Sequence, residues 1–448
     1  MSTEARTGDG ATADLEVAVV LGTRAEAVAL APVVRAMRRT AGLRPFVVST
    51  GQDDQLLDQV LRPLGVRPDV DLAVPGRREP LRRITAGVVE QLGELLATRR
   101  PDAVLVHGDS TTAFGGALAA FSEVIPVGHV GAGVRAASDA SFPEEANRRL
   151  ITPLARWHFA PTAAAAALLL GEGVDPQCVT VSGSTAVDAL LWAADLRRGS
   201  SAFAGRRSAG PRAPRVLAGL GPGAGRPGSR TAQALAALAA DGADVVLLLR
   251  EGPDGPTGSP DGGGSPDGGG SPDEGRPRGV RVVGPLDYLD FVATLADSCV
   301  VVTDAGGLQE EAPSLGKPVL VVRDGTDRPE GVAAGVARLV GAEAQGLLTA
   351  CRLLLSDAAA HGAMASLVSP YGDGRASQRV VHALLTGLGR PVPGVVPVPG
   401  VVPVPGVVPV TGTPDPGAGP VTVPLALPPS GPPPPARAAR RARSALVG

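Results

Sequence analysis

The stretch from Arg100 to Thr152 decides how the fold is interpreted: RPDAVLVHGDSTTAFGGALAAFSEVIPVGHVGAGVRAASDASFPEEANRRLIT. The apolar run Ala103–Val106 predicts a buried strand that leads into His-Gly-Asp, ending at Asp109. A helix rich in glycine and alanine follows, and then Ile125–Val130 predicts a second strand. This order places an aspartate at the carboxyl end of a parallel strand, where open α/β sheets bind their ligands.

Strands and helices alternate on both sides of this stretch. Such alternation predicts βαβ units with parallel strands and right-handed crossovers. The pattern runs through one half of the chain, is interrupted by an Arg/Gly/Pro/Ala-rich stretch at 197–214, and then resumes. The sequence therefore predicts an α/β fold with two Rossmann-like domains, and a cleft between such domains is a common place for a nucleotide-linked ligand.

The predicted segments differ in composition. The segment 1–14 is polar and is expected to be disordered, while 252–278 contains SPDGGG repeats and predicts a flexible insert. A proline-rich tail, 389–448, contains VVPVPG repeats and favours extended, solvated chain. The two domains are expected at 15–182 and 183–368.

The overall charge and the cysteines exclude several classes of protein. The formal net charge of −2 over 448 residues provides no general attraction for nucleic acid. The three cysteines show no metal-binding spacing, so no metal site is predicted. No apolar run approaches the roughly 20 residues that span a bilayer. The N-terminus lacks the pattern of a secretory signal, so the sequence predicts a cytoplasmic protein without a membrane partner.

A glycine-containing turn, Gly22–Glu26, follows the first predicted strand. Backbone N–H groups at such a turn suit an anionic ligand, and Arg24 can add a charge-assisted hydrogen bond to phosphate. An ordinary strand-to-helix turn with a surface arginine explains the same residues equally well.

Asp109 is a candidate general acid or base because burial at a strand end can tune a carboxyl group. The alternative is that Asp109 caps the following helix. Glu144 and Glu145 open another helix, where acids stabilise the helix dipole but can also transfer protons if they face a cleft.

A similar turn occurs in the second half, at Thr303–Glu311. Its glycines allow a phosphate to approach the backbone, and Glu310 or Glu311 can hydrogen-bond ribose hydroxyls. A generic turn with acidic residues is the alternative. Arg323, at the next predicted strand end, can pair with a nucleotide phosphate or with Glu330.

Several longer motifs resemble those of the non-hydrolysing UDP-N-acetylglucosamine 2-epimerases, in the order of that family from about residue 16 to 388. They include LGTRAEAVALAPVVRAM (21–37), PDAVLVHGDSTTAF (101–114), FPEEANRRL (142–150), VTVSGSTAVDALLW (179–192), TDAGGLQEEAPSLGKPVLVVRD (303–324) and SPYGDG (369–374). The resemblance implies a GT-B-like pair of Rossmann domains with UDP between them, the second domain binding UDP. It also implies that a final helix, 369–388, returns to the first domain.

The family reaction interconverts UDP-GlcNAc and UDP-ManNAc by elimination and re-addition of UDP, with inversion at C2. The resemblance implies this UDP-sugar as the ligand, no cofactor and a homodimer. It assigns catalytic roles to Asp109 and Glu144, and substrate binding to Arg24, Glu26, Gln52, Arg148, Ala305, Gly306, Gly307, Glu310, Glu311 and Arg323.

This chain departs from the family pattern at chemically important positions. The family glutamate of HVEAGLR is Gly131 here, and the family histidine of GHRRE aligns with Leu220. The family lysine near the first turn is Ala29, the GQH histidine is Asp53 and the DSGG serine is Ala305. These losses predict impaired catalysis, so the alternative function is a non-catalytic UDP-sugar-binding or regulatory pseudoenzyme. A GT-B glycosyltransferase shares the fold but not the HGDSTT and QEEAPSLGKP motifs.

Overall fold

A computed structural model of the chain describes residues 14–51, 54–74, 76, 79–135, 142–198, 213–221, 223–226, 228–249, 279–284 and 286–390. The predicted leader (except Asp14), the predicted insert and nearly all of the predicted tail lie outside these residues.

Seven strands of the described chain form the first sheet: β1 (Leu15–Leu21), β2 (Leu43–Ser49), β3 (Val70–Asp71), β4 (Ala103–His107), β5 (Val127–Val130), β6 (Trp157–Ala160) and β7 (Val179–Val181). Their order is β3-β2-β1-β4-β5-β6-β7, and each neighbouring pair is parallel. The helices that connect them are α1 (Arg24–Arg38), α2 (Asp54–Leu61), α3 (Leu81–Arg99), α4 (Thr111–Ser122), α5 (Glu144–Leu154) and α6 (Ala163–Gly171).

After α7 (Thr185–Arg198), six described strands form the second sheet: β8 (Arg215–Leu220), β9 (Asp244–Leu249), β10 (Arg281–Val283), β11 (Val300–Thr303), β12 (Val319–Val321) and β13 (Ala337–Leu339). Their order is β10-β9-β8-β11-β12-β13, again with parallel neighbours. The accompanying helices are α8 (Arg230–Ala240), α9 (Tyr288–Ala296), α10 (Gly306–Glu311), α11 (Pro329–Ala333), α12 (Ala344–Ser356), α13 (Ala358–Ala365) and α14 (Ala376–Gly387).

The central strands are apolar on both faces because helices cover both sides of each sheet. In β1, Val17 and Val19 belong to the apolar cluster that includes α1, whereas Ala18 and Val20 pack with α3 and α4. The period-2 alternation of a strand therefore supplies two cores from one continuous apolar run.

The last helix, α14, packs against elements near the beginning of the chain. Asp188 of α7 accepts hydrogen bonds from the backbone N–H groups of Ala376 (3.0 Å) and Ser377 (2.7 Å) at the start of this helix. At its other end, a Cβ on Gly387 would lie 2.3 Å from Nε1 of Trp157 in β6, so only glycine permits this close approach. The contact with Trp157 places the end of α14 on the first sheet, and the contacts with Asp188 join its start to α7.

The predicted α/β fold with two Rossmann-like domains is confirmed. Among the described residues, no helix combines the length and apolar character that a membrane crossing requires.

Candidate active site

Both sheets change direction of strand order at their centres, between β1 and β4 and between β8 and β11. In a parallel α/β sheet this switch point opens a crevice beyond the carboxyl ends of the strands. Polar side chains from the ends of several strands meet there, and some form contacts between the two domains.

The turn after β1 is held by a capping box. Thr23 is the N-cap of α1, and the carboxylate of Glu26 accepts hydrogen bonds from the backbone of Gly22 (2.7 Å) and Thr23 (2.8 Å) and from the Ser110 hydroxyl. Burial raises the pKa of Glu26, while these hydrogen bonds act in the opposite direction. The geometry therefore gives Glu26 a clear structural role, and its assignment to substrate binding stays a prediction.

Arg24 extends from the same turn toward the second domain. Its Nη2 donates to the backbone carbonyl of Leu286 at 2.7 Å, and its Nη1 donates to Oε1 of Gln59 at 3.1 Å. Arg24 thus lies at the junction of the two domains, and its assignment to phosphate binding stays a prediction.

The turn after β4 carries Asp109. Ser110 is the N-cap of α4, because its hydroxyl accepts from the backbone N–H of Ala113 at 2.9 Å. The capping alternative for Asp109 is therefore wrong. The Asp109 carboxylate forms an ion pair with Arg148, and its backbone carbonyl accepts from Asn147 at 2.9 Å.

The two acids at the start of α5 differ in their surroundings. Glu145 is buried and contacts both Arg148 (3.4 Å) and Arg149 (2.9 Å). Glu144 is exposed, and the described part of the chain contains no ion pair to it. The catalytic assignment of Glu144 stays a prediction, since residues 136–141 before this helix lie outside the described chain.

An alternating series of acids and arginines connects the two domains. Arg148 contacts Asp327 at 3.4 Å, and Asp327 contacts Arg328 at 2.9 Å. Arg328 also pairs with Glu310, which accepts a hydrogen bond of 2.6 Å from the Ser184 hydroxyl. Asp109 and Arg148 therefore belong to one charged network with residues of the second domain.

The second glycine-containing turn follows β11. The Thr303 hydroxyl accepts from the backbone N–H of Ala305 at 2.9 Å and donates to the carbonyl of Gly219 at 2.8 Å. A Cβ on Gly307 would meet no atom within 4 Å, so open space lies beside this residue. A Cβ on Gly306 would lie 3.3 Å from Oδ1 of Asp327, which places this turn beside the charged network.

Glu310 and Glu311 are both buried but face different partners. Glu310 is paired with Arg328 as described. Burial raises the pKa of Glu311 to about 8, with a further contribution from the neighbouring Glu310 charge. The Tyr288 hydroxyl donates to Glu311 at 3.4 Å. Burial and the Glu310 charge therefore both favour the protonated form of Glu311.

Of the two remaining predicted binding residues, the structure describes only Arg323. Arg323 is exposed near the start of the loop after β12, although its charge contributes to lowering the pKa of Asp327. Gln52 lies outside the described residues.

Gly131 lies directly beside an imidazole. Its φ of +77° falls in the left-handed region, and a Cβ at this position would lie 3.2 Å from Nε2 of His107. Burial lowers the pKa of His107, whereas the charges of Asp109 and Glu310 act to raise it. The position that the sequence analysis predicts to align with a family glutamate is therefore next to a histidine at the end of β4 whose burial favours its neutral form.

Leu220 does not face this crevice. Its side chain is fully buried in the apolar cluster with Val216 and Ala218 on one face of β8. The next residue, Gly221, donates its backbone N–H to both carboxylate oxygens of Asp304 at 3.0 Å.

The sequence interpretation missed three polar residues of the crevice. Ser184 bonds Glu310, Thr162 bonds Glu330, and Asp327 joins the two arginines. Ser184 and Thr162 each follow a strand of a parallel sheet, which is the signal that could have identified them. Among the described residues, no three His, Cys, Asp or Glu side chains are grouped as a metal site would require.

Two parallel sheets with facing switch points and a charged crevice between them define the GT-B-like class of two-domain α/β proteins. Comparison with known proteins makes this class more specific. The family model described as UDP-N-acetylglucosamine 2-epimerase matches residues 35–385. The UDP-N-acetylglucosamine 2-epimerase of Escherichia coli K12 is 38% identical over 378 residues, covering 83% of this chain and 98% of that protein.

Solved structures agree with this comparison. The UDP-GlcNAc 2-epimerase of Neisseria meningitidis bound to UDP-GlcNAc superposes with a TM-score of 0.73 at 34% identity, covering 83% of this chain and all of that one (100%). The S. aureus MnaA–UDP co-structure gives a TM-score of 0.72 at 34% identity, covering 84% and 99%. The chain belongs to the UDP-N-acetylglucosamine 2-epimerase family.

Proposed function

We propose that this protein interconverts UDP-GlcNAc and UDP-ManNAc in the crevice between its two domains. The observation that carries the proposal is the Asp109–Arg148 ion pair at the carboxyl end of β4, in contact with Asp327 of the second domain. A carboxylate held at this position by a buried guanidinium suits proton transfer to and from a sugar carbon.

The proposed reaction has two reversible halves. A base removes the proton from C2 while the C1–oxygen bond breaks and UDP leaves, which produces a 2-acetamidoglucal. A proton then returns to the other face of C2, and UDP adds again at C1. Asp109 and Glu144 are the proposed proton carriers on the two faces.

The remaining predicted residues are proposed to hold the nucleotide. Arg24 and Arg323 provide positive charge for the diphosphate, and Glu310 or Glu311 accepts ribose hydroxyls. The open space beside Gly307 supports the assignment of Ala305, Gly306 and Gly307 to this region. Gln52 and Glu26 complete the proposed binding set, the latter by shaping the first turn.

The ligands in the related structures support this assignment, because the N. meningitidis protein holds UDP-GlcNAc and the S. aureus protein holds UDP. By analogy with the family we also infer a homodimer located in the cytoplasm. Light scattering of the purified protein tests the dimer directly: a mass near twice 44.8 kDa is expected, and a monomer at micromolar concentration contradicts it.

A second candidate function is UDP-sugar binding without turnover. Two observations favour it: Gly131 provides no acid or base, and the Leu220 side chain is enclosed in an apolar core. This candidate predicts that the protein binds UDP and UDP-GlcNAc but does not convert UDP-GlcNAc to UDP-ManNAc.

Incubation with UDP-GlcNAc followed by chromatographic separation of the two UDP-sugars distinguishes these functions. We expect UDP-ManNAc to form, and Asp109→Asn to slow its formation about 10²–10⁴-fold, the typical contribution of one general acid or base. The control is Asp290→Asn, which changes an exposed carboxylate on α9 and is expected to leave the rate unchanged. Saturable UDP binding without any product identifies the binding protein instead.

A further inference from the structure

Arg148 is shared by acids from both domains. Its Nη2 contacts Asp109 and also Oδ2 of Asp327 at 3.4 Å, while its Nη1 contacts Glu145 at 3.4 Å. Its side chain is only 9% exposed, so these carboxylates rather than water determine its orientation. Nη2 of Arg148, which contacts the candidate catalytic carboxylate of Asp109, therefore also contacts Asp327 of the second domain.

Asp327 is itself firmly held. Its Oδ2 lies 2.9 Å from Nη1 of Arg328, and Arg328 pairs with Glu310, which is bonded to Ser184 in the turn before α7. Burial acts to raise the pKa of Asp327, but the charges of Arg328 and Arg148 outweigh this effect and lower it. Asp327 is thus a charged, anchored group that reaches across from the second domain.

The geometry points to Asp327 as an interdomain positioning residue that orients Arg148 and, through it, Asp109. This inference rests on the proposed function. An arginine side chain has several rotatable bonds. On the first domain, Asp109 contacts Nη2 of Arg148 and Glu145 contacts Nη1, so Nη2 meets only one carboxylate of that domain. Asp327 provides the second one, so the alignment of Asp109 depends on the two domains being in contact.

The role requires both the charge and the position of Asp327. Asp327→Asn keeps the shape but removes the charge, and Asp327→Glu keeps the charge on a longer side chain. The matched control is Asp324→Asn, an exposed residue of the same loop. Thermal melting of each variant identifies any that does not fold.

Two measurements test the inference. The first is the rate of UDP-ManNAc formation: Asp327→Asn is expected to lower kcat about 10- to 100-fold, the scale of a misplaced catalytic group, with less than a threefold change in KM. Asp327→Glu is expected to recover part of kcat, and Asp324→Asn to match the unsubstituted protein.

The second measurement does not depend on turnover. The guanidinium N–H signals of Arg148, assigned in NMR spectra by their loss in Arg148→Lys, are expected to be resolved in the unsubstituted protein and averaged by rotation in Asp327→Asn. Unchanged Arg148 signals in a folded Asp327→Asn protein overturn the inference. Altered signals in a protein that makes no UDP-ManNAc support the positioning role and count against the proposed function alone.

Discussion

At the scale of single residues, the most informative position is Gly131. Its left-handed backbone (φ +77°) and its closeness to His107 mean that any side chain here points at an imidazole. A Cβ would lie 3.2 Å from His107 Nε2, which is tight but requires the ring to move by only a few tenths of an ångström. The backbone therefore directs a side chain at this position toward His107 at the carboxyl end of β4.

Gly131→Glu is expected to raise the rate of UDP-ManNAc formation at least tenfold, because it adds a carboxylate beside His107 and Asp109. It is also expected to reduce the free energy of unfolding by about 1–2 kcal/mol, the cost of a left-handed backbone for a residue with a Cβ. The rate is measured by product formation and the stability by urea unfolding.

Gly131→Ala is the matched control, since it has the same backbone cost without the carboxylate. If the glutamate variant is no faster than the alanine variant, the space beside His107 does not serve proton transfer.

At the scale of elements, β8 shows why the other predicted departure from the family pattern, Leu220 in place of a histidine, cannot simply be reversed. Strand alternation turns Val216, Ala218 and Leu220 to one apolar face. An imidazole at position 220 would enter that cluster, where an unpaired polar group is costly.

Leu220→His is therefore expected to destabilise the protein by about 2–4 kcal/mol without increasing the rate of epimerisation. Urea unfolding checks the stability, with Leu220→Met as a control of similar volume that costs less than about 1.5 kcal/mol. A histidine variant that is both stable and faster would show that position 220 opens to the crevice.

Two buried histidines on the neighbouring strands β5 and β6 are expected to make the stability of the protein depend on pH. His129 and His158 are paired in register and buried, and burial lowers their pKa values to about 3 and about 4. Their pKa values in the unfolded chain are close to 6.5, so between pH 6.5 and 4 the unfolded chain binds more protons than the folded chain.

The free energy of unfolding is accordingly expected to fall below pH 6.5, by about 2 kcal/mol for each histidine at pH 5. Unfolding by urea at a series of pH values measures this slope. His158→Gln should reduce it, whereas His382→Gln, at an exposed position, should not. Equal slopes in the two variants would contradict the assignment.

The sequence predicted the elements well where the signal is local. The apolar runs at β1 and β4 and the turns after them lie where they were expected, although the strand predicted to end at Arg323 ends at Val321. The Asp109–Arg148 pair joins two predicted site residues. The role of Asp327 depends on its contact with Arg148, a residue distant in the sequence, which no local pattern encodes.

At the scale of the whole molecule, the crevice is closed by polar contacts between domains. Thr162 bonds Glu330, Arg148 contacts Asp327, and Arg24 bonds the carbonyl of Leu286. Since both domains contribute charged groups, we expect a nucleotide bound here to contact both and to stabilise the folded chain.

UDP at one hundred times its Kd is expected to raise the free energy of unfolding by about 2.7 kcal/mol, the linkage value for a ligand of the folded state alone. Thermal melting with increasing UDP measures this effect, and uridine, which lacks the diphosphate, is the control. A melting temperature that does not respond to millimolar UDP would contradict a nucleotide site in the crevice.

The central claim is that this crevice removes and returns the C2 proton of a UDP-sugar. The measurement that tests it most directly is deuterium incorporation at C2, followed by NMR and mass spectrometry with UDP-GlcNAc in D₂O. The account predicts one deuterium at C2 in both UDP-GlcNAc and UDP-ManNAc, and a strongly reduced rate in Asp109→Asn. No deuterium at C2 in a protein saturated with UDP-GlcNAc would contradict it.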